Sequence, residues 1–461
     1  MFKRDNNFNL LLATDSYKAS HYRQYPPGTT HVYSYFESRG GKFPSTVFFG
    51  LQYYLRRYLE GQVVTREKID EAQEMFDAHI GPGLFNRAGW EYILEEYTGR
   101  LPVCIKAVPE GVVVPAHNVL MTVENTDPKC WWLTNYLETM LVQVWYPTTV
   151  ATLSNYVRRT ILKYLEKTGD PSLIDFKFHD FGYRGVSSQE SAGIGGAAHL
   201  INFKGTDTVA ALALLKEYYQ DKCAGFSIPA SEHSTITSWG KEHEVDAFEN
   251  MLVQYPKGLV ACVSDSFDIF NACSELWGNK LKEKVLTRDG TLVVRPDSGE
   301  PVKIVLEVLA LLGEAFGYVT NEKGYRVLNP KVRVIQGDGI DDTEVGYILS
   351  AMKDNFWSAD NIAFGCGGAL LQKLNRDTQK FAFKCSSVTV NGADRDVFKD
   401  PVTDSEKKSK RGRLALEKFA GKFETTRAKW PENDELKVVF ENGYCYRIQS
   451  LEEIRKRALG A

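Results

Sequence analysis

The chain has 461 residues, of which 43% are hydrophobic and 25% charged, and its formal net charge at pH 7 is -3. A chain of this length predicts one large barrel with an added layer, or two domains. The nearly neutral charge excludes a general electrostatic attraction to nucleic acid or to an anionic membrane, so any anion site has to be local. We therefore expect neither nucleic acid nor a membrane as a partner.

The 8 cysteines are scattered, without a CxxC pair or a metal-ligand spacing. This distribution is typical of reduced thiols in the cytosol, and it predicts no metal site built from the protein alone. The apolar run before Asp15 is too short for the core of a signal peptide, and no segment approaches the ~20 apolar residues that cross a bilayer. We expect a cytoplasmic protein.

The first third of the chain mixes strand and helix patterns, and the tail from about Ser386 returns to strand and loop character. We therefore predict a mixed α/β domain formed by residues 1–147 and completed by residues 386–461. The elements expected in its first part are a strand at 32–36 and helices at 48–59, 131–145 and 148–165.

Thr65 is the expected N-cap of a further helix in this region, because a hydroxyl there can accept from the free N–H groups of the first turn. The apolar spacing after it follows the helical period. The residues predicted to face inward are Ile69, Ala72, Met75 and Phe76.

From about residue 175 the pattern becomes regular, with short β-rich runs that each end in polar and glycine residues and lead into a helical segment. This alternation predicts parallel strands with helical crossovers, and so an irregular β/α barrel-like domain over residues 148–385. The strands expected are 176–178, 225–228, 259–263, 292–294, 332–335 and 362–364, with another near Asn202 and Phe203.

Polar residues concentrate where these strands end. In β/α barrels the loops at that end meet at one mouth, which is the catalytic face. Each motif alone is what a strand-to-helix turn requires, but their repetition in one topological position indicates a site. The segments that follow the predicted strands, here called strand exits, are HDFGYRG (179–185), KGTD (204–207), SEHS (231–234), SDS (264–266), RPDSG (295–299), QGDG (336–339) and GCGG (365–368).

Three arginines, Arg184, Arg295 and Arg376, are candidate phosphate ligands, because a guanidinium presents a planar fork of donors. The alternative for each is an ordinary salt bridge. The GCGG exit is followed by an apolar helical stretch, so Gly367 and Gly368 are expected where free N–H groups at a helix start favour a phosphate.

Carboxylates and one histidine complete the set of candidates. Asp207 is either an N-cap or a functional acceptor, and Asp297 and Asp338 can accept from ribose hydroxyls or meet Mg²⁺. His233 is the strongest candidate for chemistry, since imidazole can act as a base or as a nucleophile toward phosphoryl groups. Its alternative is a histidine bonded to nearby backbone.

Taken together, these motifs resemble the nicotinamide phosphoribosyltransferases, one group of the barrel-type phosphoribosyltransferases that also include the nicotinate and quinolinate enzymes. The resemblance runs from Leu11 to about Arg457. Its most specific segments are LLATDSYK (11–18), HDFGYRGVSSQE (179–190), FKGTDTVA (203–210), EHSTIT (232–237), VSDSFDI (263–269), RPDSG (295–299) and GALLQKLNRD (368–377).

The resemblance implies how the substrates are bound. Phe181, and Tyr17 from a partner subunit, would stack on the two faces of nicotinamide. Arg184 would contact the ring and phosphate, and Asp207 would accept from the carboxamide NH₂. The groups implied around ribose and phosphate are Arg295, Asp297, Gly337, Asp338, Gly367, Gly368 and Arg376.

The resemblance also implies that ATP, a co-substrate, phosphorylates His233, with Asp265 and Asp297 as the other catalytic residues and Mg²⁺ on the phosphates. Some phosphate ligands would come from the second subunit, which implies a homodimer with shared active sites. The residues implied to hold these phosphates are Asp15, Arg39, Lys384 and Lys399.

The expected reaction joins nicotinamide to phosphoribosyl pyrophosphate (PRPP), giving nicotinamide mononucleotide and pyrophosphate. The first alternative is the nicotinate enzyme, but Asp207 would repel a ring carboxylate. The second is a non-catalytic scaffold or signalling protein of the same fold. Such a protein has no need of His233, Asp207, Arg295, Arg376 and Gly368.

Overall fold

The computed structural model describes residues 2–3, 5–401, 403, 408–427 and 433–460. The chain divides into two compact units. The first unit comprises Met1–Thr152, Ala213–Asp221 and Asn375–Ala461, and the second comprises Leu153–Leu212 and Lys222–Leu374.

The described strands are β1 Thr29–Ser38, β2 Ser45–Val47, β3 Val103–Ala107, β4 Val113–Pro115, β5 Val119–Asn125, β6 Phe178–Asp180, β7 Gly205–Thr206, β8 Lys257–Val263, β9 Asp289–Arg295, β10 Tyr318–Thr320, β11 Arg326–Leu328, β12 Val332–Gln336, β13 Ile362–Cys366, β14 Phe381–Val390, β15 Ala393–Asp396, β16 Ala415–Phe419, β17 Lys422–Thr426, β18 Lys437–Glu441 and β19 Tyr444–Cys445.

The described α-helices are α1 Leu51–Tyr54, α2 Arg66–Ile80, α3 Arg87–Glu96, α4 Leu133–Tyr136, α5 Glu138–Leu141, α6 Trp145–Thr168, α7 Gln189–Leu200, α8 Val209–Tyr218, α9 His233–Thr237, α10 Glu244–Gln254, α11 Ile269–Asn271, α12 Lys282–Thr287, α13 Pro301–Phe316, α14 Glu344–Asp354, α15 Gly368–Leu371 and α16 Leu451–Leu459. Two π-helical segments, Leu55–Leu59 and Ala272–Lys280, continue α1 and α11.

The first unit contains a seven-stranded sheet in the order β15-β14-β1-β5-β3-β18-β19. β1 is an interior strand and pairs antiparallel with β14 and with β5. Its burial on both faces explains its aromatic and β-branched sequence. The strand predicted at 32–36 lies within β1. The helix predicted at 48–59 begins only at Leu51, as α1, and continues as a π-helix to Leu59.

Helix α2 begins after Thr65, whose side chain accepts from the N–H of Lys68 as predicted. Ile69, Ala72 and Phe76 are buried, but Met75 is 52% exposed, so its assignment to the inner face was wrong. The buried stripe of α2 is narrower than the apolar spacing suggested. The helices predicted at 131–145 and 148–165 also differ, since short turns of helix lead into α6 at Trp145.

The second unit contains a parallel sheet in the order β7-β6-β13-β12-β9-β8. Its two edges are joined by the closing segment, residues 226–230. Phe226 bridges to Gly205 of β7, and Ala230 bridges to Ala261 of β8, both in parallel. The strands therefore form a ring, and the predicted irregular β/α barrel-like domain accompanied by a mixed α/β domain is confirmed.

Several predicted details differ in the structure. The strand predicted at 176–178 begins only at Phe178, and the strand predicted at 225–228 is reduced to an isolated bridge at Phe226. Asn202 and Phe203 do not form a strand: they follow the end of α7, and the strand begins at Gly205. The compact units also place residues 148–152, 213–221 and 375–385 in the first unit, outside the predicted range 1–147 and 386–461. The reason at 381–385 is that β14 pairs with β1 from its first residue, Phe381.

Among the described residues, no helix combines the length and the apolar character that a bilayer crossing requires.

Candidate active site

The strand ends of the barrel surround a cavity of about 920 Å³. Its wall is mixed, as in ligand sites of this size: apolar side chains of the strands lie between polar groups at both ends of the barrel, among them Lys177, Arg333 and Asp360 where strands begin. Among the residues predicted from the sequence, it is lined by Phe181, Arg184, Asp207, Arg295, Asp297, Gly337, Gly367 and Gly368.

Phe181 follows β6, and its backbone N–H donates to the Cys366 carbonyl at 2.9 Å. Its ring lies over the backbone of Gly365, where any Cβ would overlap the ring atoms. The ring also packs on a buried cluster of Ala261, Val293 and Ile335. An aromatic face is thereby held rigidly against the cavity.

Arg295 closes this wall from the end of β9. Its guanidinium lies 5.9 Å from the centre of the Phe181 ring, and its Nη2 donates to Oδ1 of Asp297 at 2.8 Å. Gly337 lies beside this pair: a Cβ there would come 3.5 Å from Nε of Arg295 and 3.6 Å from the Asp297 carboxylate. The arrangement suits a ribose phosphate, because both donors and acceptors are offered.

Asp207 follows β7, and its backbone N–H donates to the Asp180 carbonyl at 2.9 Å. Its Oδ1 accepts from the hydroxyl of Ser227 in the closing segment. Asp180 is fully buried, and its Oδ1 accepts from Gly182 N–H at 2.7 Å. Burial raises the pKa of Asp180 to about 6, and nearby Asp207 contributes in the same direction. The turn that carries Phe181 is therefore fixed by a buried carboxyl group.

His233 begins α9, and its side chain is about half exposed at 46%. Its Nε2 lies 3.4 Å from Oδ2 of Asp297 and 3.6 Å from Oδ1 of Asp265, and its Nδ1 lies 3.1 Å from the Ser266 hydroxyl. Asp265 is held in turn, since its Oδ2 accepts from the backbone N–H of Asp297 at 3.0 Å. The three predicted catalytic residues thus lie together.

Glu244 is an acidic neighbour of this group that the sequence did not single out. It is buried at the start of α10, and its Oε1 has no hydrogen-bond partner among the described residues. Burial raises the pKa of Glu244 to about 7, and the charges of Asp268 and Asp265 raise it further. A neutral Glu244 avoids adding charge beside Asp265.

The glycines after β6 and β13 allow two loops to approach closely. A Cβ on Gly185 would come 3.2 Å from the Cα of Gly368, and Gly182 would meet the carbonyl of Gly367 at 2.9 Å. Arg184 and Asp338 are exposed, and among the described residues their side chains form no hydrogen bond or ion pair. The structure thus leaves both predicted side chains available to a ligand.

Other predicted residues belong to the first unit. Lys384 of β14 pairs in register with Tyr35 of β1. Desolvation lowers the pKa of Lys384, and the positive charges of Arg39, Arg376 and Lys399 lower it further, although Glu138 opposes them. Lys384 is therefore close enough to three other predicted phosphate ligands to be repelled by them, as expected of a site for an anion.

Arg39 is oriented by Glu37, a buried carboxylate that accepts from its Nε at 3.2 Å and also from Lys410. Nη2 of Arg39 is buried, and among the described residues it has no hydrogen-bond partner. Such a nitrogen is costly to bury, and a bound anion would satisfy it. Glu37 was missed because its partner Lys410 is 373 residues away in the sequence.

Tyr17 lies in a 3₁₀ segment of the first unit, Ser16–Arg23, and is 60% exposed. Its ring packs edge-on against His21, with centroids 4.7 Å apart. Asp15 precedes this segment, and its Oδ2 accepts from Thr139 at 2.7 Å. An exposed aromatic ring of this kind is free to stack on a ligand or on a partner chain.

Within the part of the chain that the structure describes, no cluster of three or more His, Cys, Asp or Glu side chains could hold a metal ion. The carboxylates of Asp265 and Asp297 both lie beside His233 Nε2, and among the described residues Oδ1 of Asp265 is buried without a hydrogen-bond partner. Oxygen ligands of this kind suit Mg²⁺, which is usually held by one or two carboxylates together with substrate phosphates.

Two family models match the chain. The model of the nicotinate phosphoribosyltransferase (NAPRTase) family covers residues 176–444, and that of the nicotinamide phosphoribosyltransferase N-terminal domain covers residues 9–105. The nicotinamide phosphoribosyltransferase of Xanthomonas campestris pv. campestris is 53% identical over 98% of each chain. A protein of the same name from Acinetobacter baylyi is 36% identical over 97% of each chain.

Solved structures of low sequence identity share the fold. Nicotinate-nucleotide pyrophosphorylase from Pyrococcus furiosus matches with a TM-score of 0.61 and 16% identity, covering 99% of this chain and 96% of that one. Human nicotinic acid phosphoribosyltransferase matches with a TM-score of 0.53 and 16% identity, covering 97% and 93%. These similarities establish the architecture.

Proposed function

Since the chain belongs to the nicotinate phosphoribosyltransferase family, we propose that it transfers the phosphoribosyl group of PRPP to nicotinamide, forming nicotinamide mononucleotide and pyrophosphate for NAD salvage. The observation that carries the proposal is that Asp207 and Phe181 line one cavity. The carboxylate accepts from a carboxamide NH₂ but repels the carboxylate of nicotinate.

In this proposal Phe181 stacks on the pyridine ring, and Asp207 sets its rotation, so that the ring nitrogen points toward C1 of PRPP. The N–C1 bond forms as the bond from C1 to pyrophosphate breaks. The pyridine nitrogen carries no proton, so no general base is required. Asp297 and Asp338 stabilise the positive charge that develops on the ribose ring, while Arg184 and Arg295 bind phosphate oxygens.

Mg²⁺ bound to the phosphates would neutralise part of the pyrophosphate charge as it leaves, and Asp265 and Asp297 are the residues that would hold it. The cations of the first unit supply further phosphate ligands. They are Arg39, Arg376, Lys384 and Lys399, and the unsatisfied Nη2 of Arg39 supports their assignment. Asp15, Gly337, Gly367 and Gly368 complete the proposed contacts.

We assign the coupling to ATP to His233. An imidazole nitrogen attacks the γ-phosphorus of ATP, the N–P bond forms, and the P–O bond to ADP breaks. The carboxylates of Asp265 and Asp297, at 3.6 and 3.4 Å from Nε2, stabilise the positive charge that the ring acquires. Hydrolysis of the phosphohistidine returns the free histidine.

The proposed assembly is a homodimer with shared active sites, in which Tyr17 of one subunit stacks on the nicotinamide bound by Phe181 of the other. Support comes from the exposure of Tyr17, which presents 60% of its surface. All eight cysteines are free thiols, which suits a reducing compartment, and we place the reaction in the cytoplasm.

The test is nicotinamide mononucleotide formation by the purified protein from nicotinamide, PRPP, Mg²⁺ and ATP, with nicotinate as a competing substrate. A preference for nicotinamide is expected. Preferred use of nicotinate would assign the chain to the alternative enzyme of the family. If neither nicotinamide nor nicotinate gives a product, the remaining interpretation is a non-catalytic scaffold or signalling protein.

A further inference from the structure

The hydroxyl of Ser227 has no part in the reaction described above, yet it lies on the cavity wall and donates to Oδ1 of Asp207. The two residues lie on neighbouring segments of the ring. Asp207 follows β7, and Ser227 is in the closing segment next to Phe226, which bridges to Gly205. The pair is thus placed by the closure of the barrel.

Backbone hydrogen bonds hold both residues without help from the hydroxyl. Thr206 N–H donates to the Phe226 carbonyl at 3.0 Å, and Phe226 N–H donates to the Lys204 carbonyl at 2.7 Å. The N–H of Asp207 donates to Asp180 at 2.9 Å. What remains to be fixed is the rotation of the Asp207 carboxylate, because the last torsion of an aspartate is broad.

The Ser227 hydroxyl fixes that rotation. With Oδ1 engaged by Ser227, Oδ2 is the oxygen left to meet a ligand, and within the described part of the chain it accepts no hydrogen bond. Both residues are exposed to the cavity, so water would otherwise compete for the carboxylate. The hydrogen bond from the Ser227 hydroxyl keeps water away from Oδ1 and so leaves the carboxylate fewer orientations.

We propose that Ser227 is a positioning residue that determines specificity: it turns the Asp207 carboxylate so that Oδ2 accepts from the amide of nicotinamide. This inference rests on the proposed function. Ser227 touches the carboxylate and acts on the substrate through Asp207. Without the hydroxyl, the carboxylate rotates and is solvated, and selection of the amide over the carboxylate of nicotinate weakens.

The experiment is a double-mutant cycle on the full chain, measuring kcat and KM for nicotinamide and for nicotinate. The proteins are wild type, Ser227→Ala, Asp207→Asn and the double variant. Ser227→Ala should lower the ratio of kcat/KM for nicotinamide to that for nicotinate roughly 5- to 20-fold, mainly through a higher KM for nicotinamide. The double variant should select no less well than Asp207→Asn alone, because Ser227 acts through Asp207.

Two further variants separate positioning from a structural role. Ser227→Thr keeps a hydroxyl and should restore most of the selectivity. Ser172→Ala removes a similar bond, from Ser172 to Asp170 at 2.8 Å, on another part of the same cavity wall. It should leave selectivity unchanged.

The inference is overturned if wild type selects nicotinamide and Ser227→Ala retains that selectivity. It is equally overturned if the Ser227 effect persists in full in the Asp207→Asn background, or if Ser172→Ala lowers selectivity as much. Failure of wild type to form nicotinamide mononucleotide would instead overturn the proposed function, and this inference with it.

Discussion

The ring of Phe181 lies across Gly365, so closely that a methyl group at residue 365 would overlap it. Gly365→Ala should therefore displace the stacking surface and lower kcat/KM for nicotinamide roughly 10- to 100-fold, the scale of a misplacement by about 1 Å. Steady-state kinetics checks this. The matched variant is Gly346→Ala in α14, where the nearest neighbouring atom to a new Cβ is 3.9 Å away. Equal activity of Gly365→Ala and wild type would contradict the assigned role of Phe181.

Lys384→Gln should stabilise the free protein and weaken its binding of phosphate groups. Desolvation is the main cause of the lowered pKa of Lys384, and repulsion by Arg39, Arg376 and Lys399 lowers it further. Removing the charge of Lys384 relieves both costs. We expect a higher melting temperature without anions and a smaller increase on adding pyrophosphate. A ten-fold weaker Kd lowers that stabilisation by about 1.4 kcal/mol at saturating ligand.

Thermal unfolding measures the melting temperature without anions and its increase on adding pyrophosphate. The control is Lys163→Gln, on the exposed surface of α6. An unchanged pyrophosphate effect would argue against the anion site.

Asp180→Asn should make the protein more stable at pH 8 and leave its stability nearly unchanged at pH 4. Burial raises the pKa of Asp180 to about 6 from the ordinary 3.8, so the native state binds more protons than the unfolded chain between these values. The wild type is therefore stabilised below pH 3.8 and loses that contribution as the pH rises through 6. The gain in the variant is at most about 3 kcal/mol. Denaturant unfolding across this range tests it, and a difference independent of pH would contradict the assignment.

His233→Ala should abolish ATP hydrolysis and the acid-labile label transferred from γ-labelled ATP. It should retain slow synthesis without ATP, because Phe181 and Asp207 still bind nicotinamide. Radiolabelling and product assays measure the two effects separately. ATP-stimulated synthesis at the wild-type rate would exclude the role of His233, and label that persists would identify another nucleophile, with Ser234 the first to check.

Mixing Tyr17→Ala with Phe181→Ala subunits should recover activity that neither variant has alone, because some mixed dimers carry one intact site. Subunit exchange is verified with differently tagged chains. Mixtures as inactive as the parents, despite exchange, would contradict shared sites.

The polar strand ends could be predicted from the sequence because parallel strands bring their carboxyl ends to one face, whatever the helices between them do. His233, Asp265 and Asp297 were placed together for that reason. Contacts between residues of different strands could not be predicted in this way. The hydrogen bond from Ser227 to Asp207 depends on the register that closes the ring. The contact of the Phe181 ring with Gly365 depends on the rotamer of Phe181. The prediction that Met75 is buried was wrong, because helical spacing shows which residues share a face but not how wide the buried stripe is.

The ring of the barrel is weakest at its closing segment. β8 and β9 pair along seven residues, whereas residues 226–230 are attached by one bridge on each side. Local opening needs the least free energy where the ladder hydrogen bonds are fewest. The backbone amide hydrogens of the closing segment should therefore exchange with solvent before those of β12 and β13. The segment that opens carries Ser227 and runs directly toward His233. A ligand that binds Oδ2 of Asp207, whose Oδ1 is held by Ser227, therefore stabilises the barrel where its ladder hydrogen bonds are fewest, and part of the binding free energy opposes local opening there.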